Sequence, residues 1–82
     1  MRKKYLIIEA DIQKDGTTIP RILIDEEGQS HAIRAKRIVP LDTTKKGGSD
    51  LQYDVEIDGI PQQIYLEFAD SYTQKRRWYR IH

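Results

Sequence analysis

Residues 51–68 read LQYDVEIDGIPQQIYLEF, from Leu51 to Phe68, and this stretch decides the fold. Leu51, Tyr53, Val55 and Ile57 alternate with Gln52, Asp54, Glu56 and Asp58; beyond Gly59, Ile60, Gln62, Ile64, Leu66 and Phe68 share one face. A period of two over this length is the pattern of half-buried antiparallel strands, because successive side chains leave a strand on opposite faces. Asp58-Gly59 sits at the midpoint. Both residue types tolerate the positive φ that a tight hairpin turn demands, so the segment predicts two strands joined at Asp58-Gly59.

The flanking sequence repeats the theme with less regularity. Tyr5–Ile12 reads as a first strand with Leu6, Ile8, Ala10 and Ile12 on one face, followed by a turn at Lys14-Asp15-Gly16-Thr17. Thr18–Asp25 reads as a second strand. Pro20 places its beginning, or an edge, at that point, since proline cannot donate to a ladder. Glu26–Gln29 turns again. Ser30–Val39 is a third strand in which Ile33 and Ala35 face one way and Ile38 the other, which predicts a bulge near Arg37. Pro40–Asp50 (PLDTTKKGGSD) is the one long connection; its proline and paired glycines argue against a helix, and its tip is expected to be the most mobile segment. Residues 69–74 have room for one short helical turn before a last strand over Arg76–Ile81.

Five to six short strands in sequential order, with tight turns and no true helix, must hide their edges. Closure into a small barrel achieves that. The expected fold is an all-β antiparallel meander, closed or nearly closed, SH3-like in its arrangement, with residues 1–82 forming one small domain. An OB-type barrel carries a helix where PLDTTKKGGSD stands, which disfavours it. For 82 residues the usual per-residue scale gives a stability of roughly 4–12 kcal/mol.

Composition narrows the function classes. The chain has no cysteine, which excludes disulfides, thiolate metal sites and cysteine nucleophiles. The start, MRKKYLIIEAD, has only about four apolar residues before its first acids, short of the roughly 7–15 that a secretory signal needs. No apolar run is long enough to span a bilayer. A cytoplasmic setting without membrane association follows as the expectation.

Charge is arranged in blocks around a formal net charge of +1. Residues 47–70 hold six acidic groups and no basic one, and residues 71–82 hold four basic groups. Pairing of opposite charges across strands explains such blocks, with Asp54, Glu56, Asp58 and Glu67 expected near the arginine-rich last strand. The same blocks permit one positive patch if the third strand, the long loop and the last strand lie together.

Catalytic and metal signatures fail on inspection. Asp11–Gly16 resembles the start of a calcium loop, but Gln13 stands third and Ile22 stands where a bidentate glutamate is needed. Thr43–Gly48 has phosphate-loop ingredients in the wrong order and without a following helix. His31 and His82 have no paired ligand spacing. Ser30 and His31 are neighbours on a strand and point to opposite faces, so they form no catalytic pair. The expectation is a non-enzymatic protein without cofactor or metal.

The basic, aromatic tail, KRRWYRIH from Lys75 to His82, remains. Tyr79 and Ile81 form the more apolar strand face and are expected inside. That sets Trp78 outside or at the rim between Arg76 and Arg80, as a stacking platform for bases or an anchor for a protein. The competing reading has Trp78 closing the bottom of the barrel. Tyr65 and Tyr72 extend the same surface. The leading expectation is a binding module that holds nucleic acid through Lys36, Arg37, Lys45, Lys46, Arg76, Arg77 and Arg80, with Trp78 or Tyr72 stacking. The alternative is a module that binds a protein partner, or a homodimer, through an exposed strand edge.

Overall fold

A computed structural model of the chain describes residues 2–41, 50–67 and 77–81. Six antiparallel strands run in chain order: β1 (Lys3–Ile12), β2 (Thr18–Ile24), β3 (Ser30–Pro40), β4 (Leu51–Ile57), β5 (Ile60–Leu66) and β6 (Trp78–Ile81). They close into a barrel in sequential order, with β6 returning to β1. The all-β meander expected from the sequence is what forms. The expected helical turn at residues 69–74 and the long connection's tip lie outside the described residues.

Two strands bend to serve both halves of the barrel. β1 pairs with β6 through Lys3–Leu6 and with β2 through Ile7–Ile12. β3 pairs with β2 only through Ser30–Ala32, then with β4 from Ile33 to Pro40. The register of β3 against β4 skips Lys36, between Ala35 and Arg37. This bulge falls where the phase of the sequence breaks; it lets Ala35 and Ile38 both pack against the core. A second shift lies between β1 and β2, where Glu9 opposes Ile22 and Ala10 opposes Pro20. Pro20 stands beyond the last β2–β3 pair, so its missing N–H leaves no gap in that ladder.

The β4–β5 hairpin turns on Asp58 (φ 54°) and Gly59 (φ 75°). Two successive positive φ values are the geometry of a type I′ turn, whose twist suits the flanking strands. The hairpin aligns Tyr53 with Ile64 and Val55 with Gln62. Ile33, Tyr53, Val55, Ile57, Ile64, Leu66 and Trp78 form the buried core, with Leu6, Ile8, Leu23, Ala35, Ile38 and Leu51 packed around it.

Two expectations are corrected, and one pair of alternatives is decided. Trp78 is buried, at 6% exposure, as in the reading in which it closes the barrel. It sits opposite Leu6 on one side and Leu66 on the other, and its ring centroid lies 4.9 Å from that of Tyr53. Ile81, expected inside, is 40% exposed, and Tyr79 is buried on the outer side of the sheet against other tyrosines. Four residues give too short a pattern to set the phase of β6; its register against β1 and β5 sets it instead. Finally, Ala10 and Ile12 are exposed, because the distal half of the β1–β2 hairpin extends past the core that Leu6 and Ile8 reach.

Candidate binding face

Residues in odd positions at the start of β1 leave the barrel outward. Tyr5 is opposite Tyr79, and Tyr79 is opposite Tyr65. The result is a row of three tyrosines across β1, β6 and β5. Tyr65 and Tyr79 are stacked, with centroids 5.2 Å apart and planes 13° from parallel. Tyr5 meets Tyr79 edge-on at 6.2 Å. Such pairs add about 0.5–1.5 kcal/mol beyond the area they bury. Tyr79 is covered by its neighbours, whereas Tyr5 is 44% exposed.

Cations frame the row. Lys3 Nζ lies 4.5 Å from the centroid of Tyr79, and the guanidinium carbon of Arg77 lies 4.2 Å from that of Tyr5. Glu67 ties them together: its carboxylate accepts from Lys3 Nζ at 3.0 Å, from Tyr5 Oη at 2.9 Å and from Arg77 Nη2 at 3.1 Å. Partial burial raises the Glu67 pKa, but the hydrogen bonds from Lys3, Tyr5 and Arg77 outweigh it and hold the carboxyl below its ordinary range. The Lys3 ammonium is pushed up, chiefly by its hydrogen bond to Glu67. Tyr79 Oη donates to Asp50 Oδ2 at 2.5 Å, and burial followed by that carboxylate drives the phenol's pKa upward.

Of the residues singled out from the sequence, Lys36, Arg37, Arg77, Trp78 and Arg80 are among those described. Lys36 pairs with Glu56 at 3.3 Å and Arg37 with Asp54 at 3.4 Å, across β3 and β4. Asp54 and Glu56 therefore neutralise the third strand, and not the last one as expected. Among the described residues, Glu67 is the one of those acids that pairs with the tail, through Arg77. Arg80 shares the inward phase of Trp78 and lies half-buried at the barrel end. Lys45, Lys46, Tyr72 and Arg76 lie outside the described residues.

Lys3 and Tyr5 were missed by sequence reasoning, whereas Glu67 was expected beside the last strand and pairs with Arg77 there. The phase of β1 held the signal: if Leu6 and Ile8 are inside, Lys3 and Tyr5 are outside, opposite whichever tail residue is in register. That register is not visible in the sequence.

A second polar cluster joins two of the turns. His31 is held between Asp25 Oδ2 at 2.8 Å and Asp58 Oδ2 at 2.7 Å, linking the β2–β3 and β4–β5 turns. The hydrogen bond to Asp25, then that to Asp58, raises the His31 pKa above its ordinary 6.5. Asp25 Oδ1 also accepts from the backbone N–H of Glu27 and of Gln29, which organises the turn. Among the described residues no group of three or more His, Asp or Glu side chains is arranged to hold a metal ion, and no helix is long and apolar enough to cross a membrane.

Comparison with known proteins places the chain beside none of them: no family model, no curated protein and no solved structure matches it.

Proposed function

We propose that the protein is a non-enzymatic, SH3-like, cytoplasmic binding module that takes single-stranded nucleic acid on the outer face of β1, β6 and β5. The observation that carries this reading is the row Tyr5–Tyr79–Tyr65 with Lys3 and Arg77 beside it. A base stacks on an aromatic face at a gain of about 1–3 kcal/mol, and rings set on a rigid sheet lose little freedom in doing so. Tyr5 and Tyr65 supply the faces, Tyr79 holds them in position, and Lys3 and Arg77 meet the phosphates. Because Glu67 and Asp50 share this face, affinity comes from stacking more than from charge.

The test is fluorescence anisotropy of a labelled oligothymidylate with the native protein, Tyr5→Ala and Tyr65→Ala. Each substitution is expected to weaken binding by about 1–3 kcal/mol. With at most two phosphates neutralised, the slope of log affinity against log salt is about −1.4, or roughly a sevenfold loss from 50 to 200 mM salt. Unchanged affinity in both variants, with the fold intact, removes the stacking face.

A second reading rests on a separate observation. Among the described residues β5 meets β6 at Tyr65 and Leu66, and Ile60–Ile64 is paired on the β4 side alone; Ile60 is 58% exposed. That edge is where a second copy or a partner strand would add. It predicts a molecular mass that rises with concentration; a monomeric mass up to near-millimolar concentration counts against the homodimer.

A further inference from the structure

We propose that the cavity at the Arg80 end of the barrel, which adjoins the tyrosine face at Tyr5, is a binding site for an aliphatic carboxylate. The cavity, ≈ 310 Å³, is walled by Tyr5, Leu6, Ile7, Leu23 and Ile24 and bordered by Lys4, Arg80 and the acids of the β2–β3 turn. This lies at the small end of the roughly 300–1,000 Å³ typical of ligand pockets, room for a short-chain acid. It combines apolar walls with one uncompensated cation.

Arg80 is that cation. Its Nε is buried and has no hydrogen-bond partner. Arg21, Arg37 and Arg77 each pair with a carboxylate, but among the described residues no ion pair reaches Arg80. A buried guanidinium donor without an acceptor is costly, and an incoming carboxylate oxygen relieves that cost. The acids around the opening are mostly committed. Glu26 pairs with Lys4 at 3.1 Å, and Asp25 pairs with His31 and with the turn backbone. Glu27, exposed on the turn, is the remaining competitor for the cation. Leu6 and Leu23, both packed against the core, present the aliphatic floor. The ligand's carboxylate pairs with the guanidinium and its chain lies along these side chains.

The experiment is an NMR titration of methyl- and Arg Nε-labelled protein with hexanoate, hexanamide and hexanol. Hexanoate is expected to shift the methyls of Leu6, Leu23 and Ile24 together with the Arg80 Nε–H signal, saturably. It should bind at least about tenfold more tightly than hexanamide or hexanol, as a charge-assisted hydrogen bond implies. Glu27→Gln should tighten hexanoate binding, and Arg80→Gln should abolish the preference over hexanamide. Equal binding of hexanoate and hexanamide, or shifts confined to other residues, overturns the site even if no Arg80 variant folds. A peptide ending in a free leucine carboxylate, compared with its C-terminal amide, separates the two sources of the same chemistry. Tighter binding of the free-carboxylate peptide than of hexanoate assigns the site to chain termini, and weaker binding assigns it to free acids. Retention of the native preference in Arg80→Gln also overturns the proposal.

Discussion

Replacing Trp78 by alanine separates a tryptophan that holds the barrel together from one that serves as a surface platform. The side chain is 6% exposed, lies between Leu6 and Leu66 in register, and faces the Tyr53 ring at 4.9 Å. Truncating a large buried aromatic costs about 3–5 kcal/mol from lost transfer energy and the cavity left behind. Part of this, about 0.5–1.5 kcal/mol, belongs to the ring pair with Tyr53. Against a total of roughly 4–12 kcal/mol for a chain of this size, the loss is severe. It would lower the melting temperature by about 12–40 °C, at about 4–8 °C per kcal/mol. Urea unfolding followed by far-UV circular dichroism reads it directly, because the variant lacks the only tryptophan. In the native protein that same tryptophan should emit at short wavelength and resist acrylamide until unfolding. A loss below about 1 kcal/mol, or free quenching of the native protein, would refute the placement of Trp78 in the core.

Other outcomes follow from the same structure. Tyr53→Phe removes the hydroxyl that donates to the Thr18 carbonyl at 2.6 Å; with that carbonyl stranded, thermal melts should show a loss of about 1–3 kcal/mol. The His31 clamp makes stability depend on pH. Its folded pKa lies above the ordinary 6.5, so its contribution is complete below 6.5 and declines as pH rises through the folded value. Urea midpoints should therefore fall with pH above about neutrality, and His31→Gln should flatten that limb. Glu67 behaves in the opposite sense: its depressed pKa means its contribution is present above the ordinary 4.5 and is lost as pH falls through the folded value. Glu67→Gln should remove that acid limb. Gly59→Ala forces a side chain into φ 75°. It should cost about 1 kcal/mol in chemical denaturation although no atom blocks the added methyl.

The parts of the fold legible in the sequence are those where one local rule acts without competition. Asp58-Gly59 between two alternating runs specifies a hairpin because few other dipeptides accept both positive φ values. The phase break around Arg37 marks a bulge because Ile33, Ala35 and Ile38 cannot share an interior without an extra residue. Pro20 marks a stretch of β2 unpaired on its β3 side, because it lacks a donor. The tail was harder to read. Trp78 and Tyr79 are both large and amphipathic, and a four-residue strand does not show which one faces in. Only the long-range register with Leu6 and Leu66 decides it. The tyrosine face was hidden for the same reason: it joins Tyr5 to Tyr65 and Tyr79 across 60 or more residues of sequence. Charge blocks showed that opposite charges would pair across strands but not which strands: Lys36 meets Glu56 and Arg37 meets Asp54 across the β3–β4 ladder, where the last strand was expected.

Whether β1, β6 and β5 present a face for single-stranded nucleic acid is read by chemical-shift mapping with a short oligothymidylate. Saturable shifts are expected at Lys3, Tyr5, Tyr65, Arg77 and Tyr79, with the β3–β4 face at Lys36 and Arg37 unmoved. Shifts confined to the β3–β4 face, or none at low salt, would contradict that expectation.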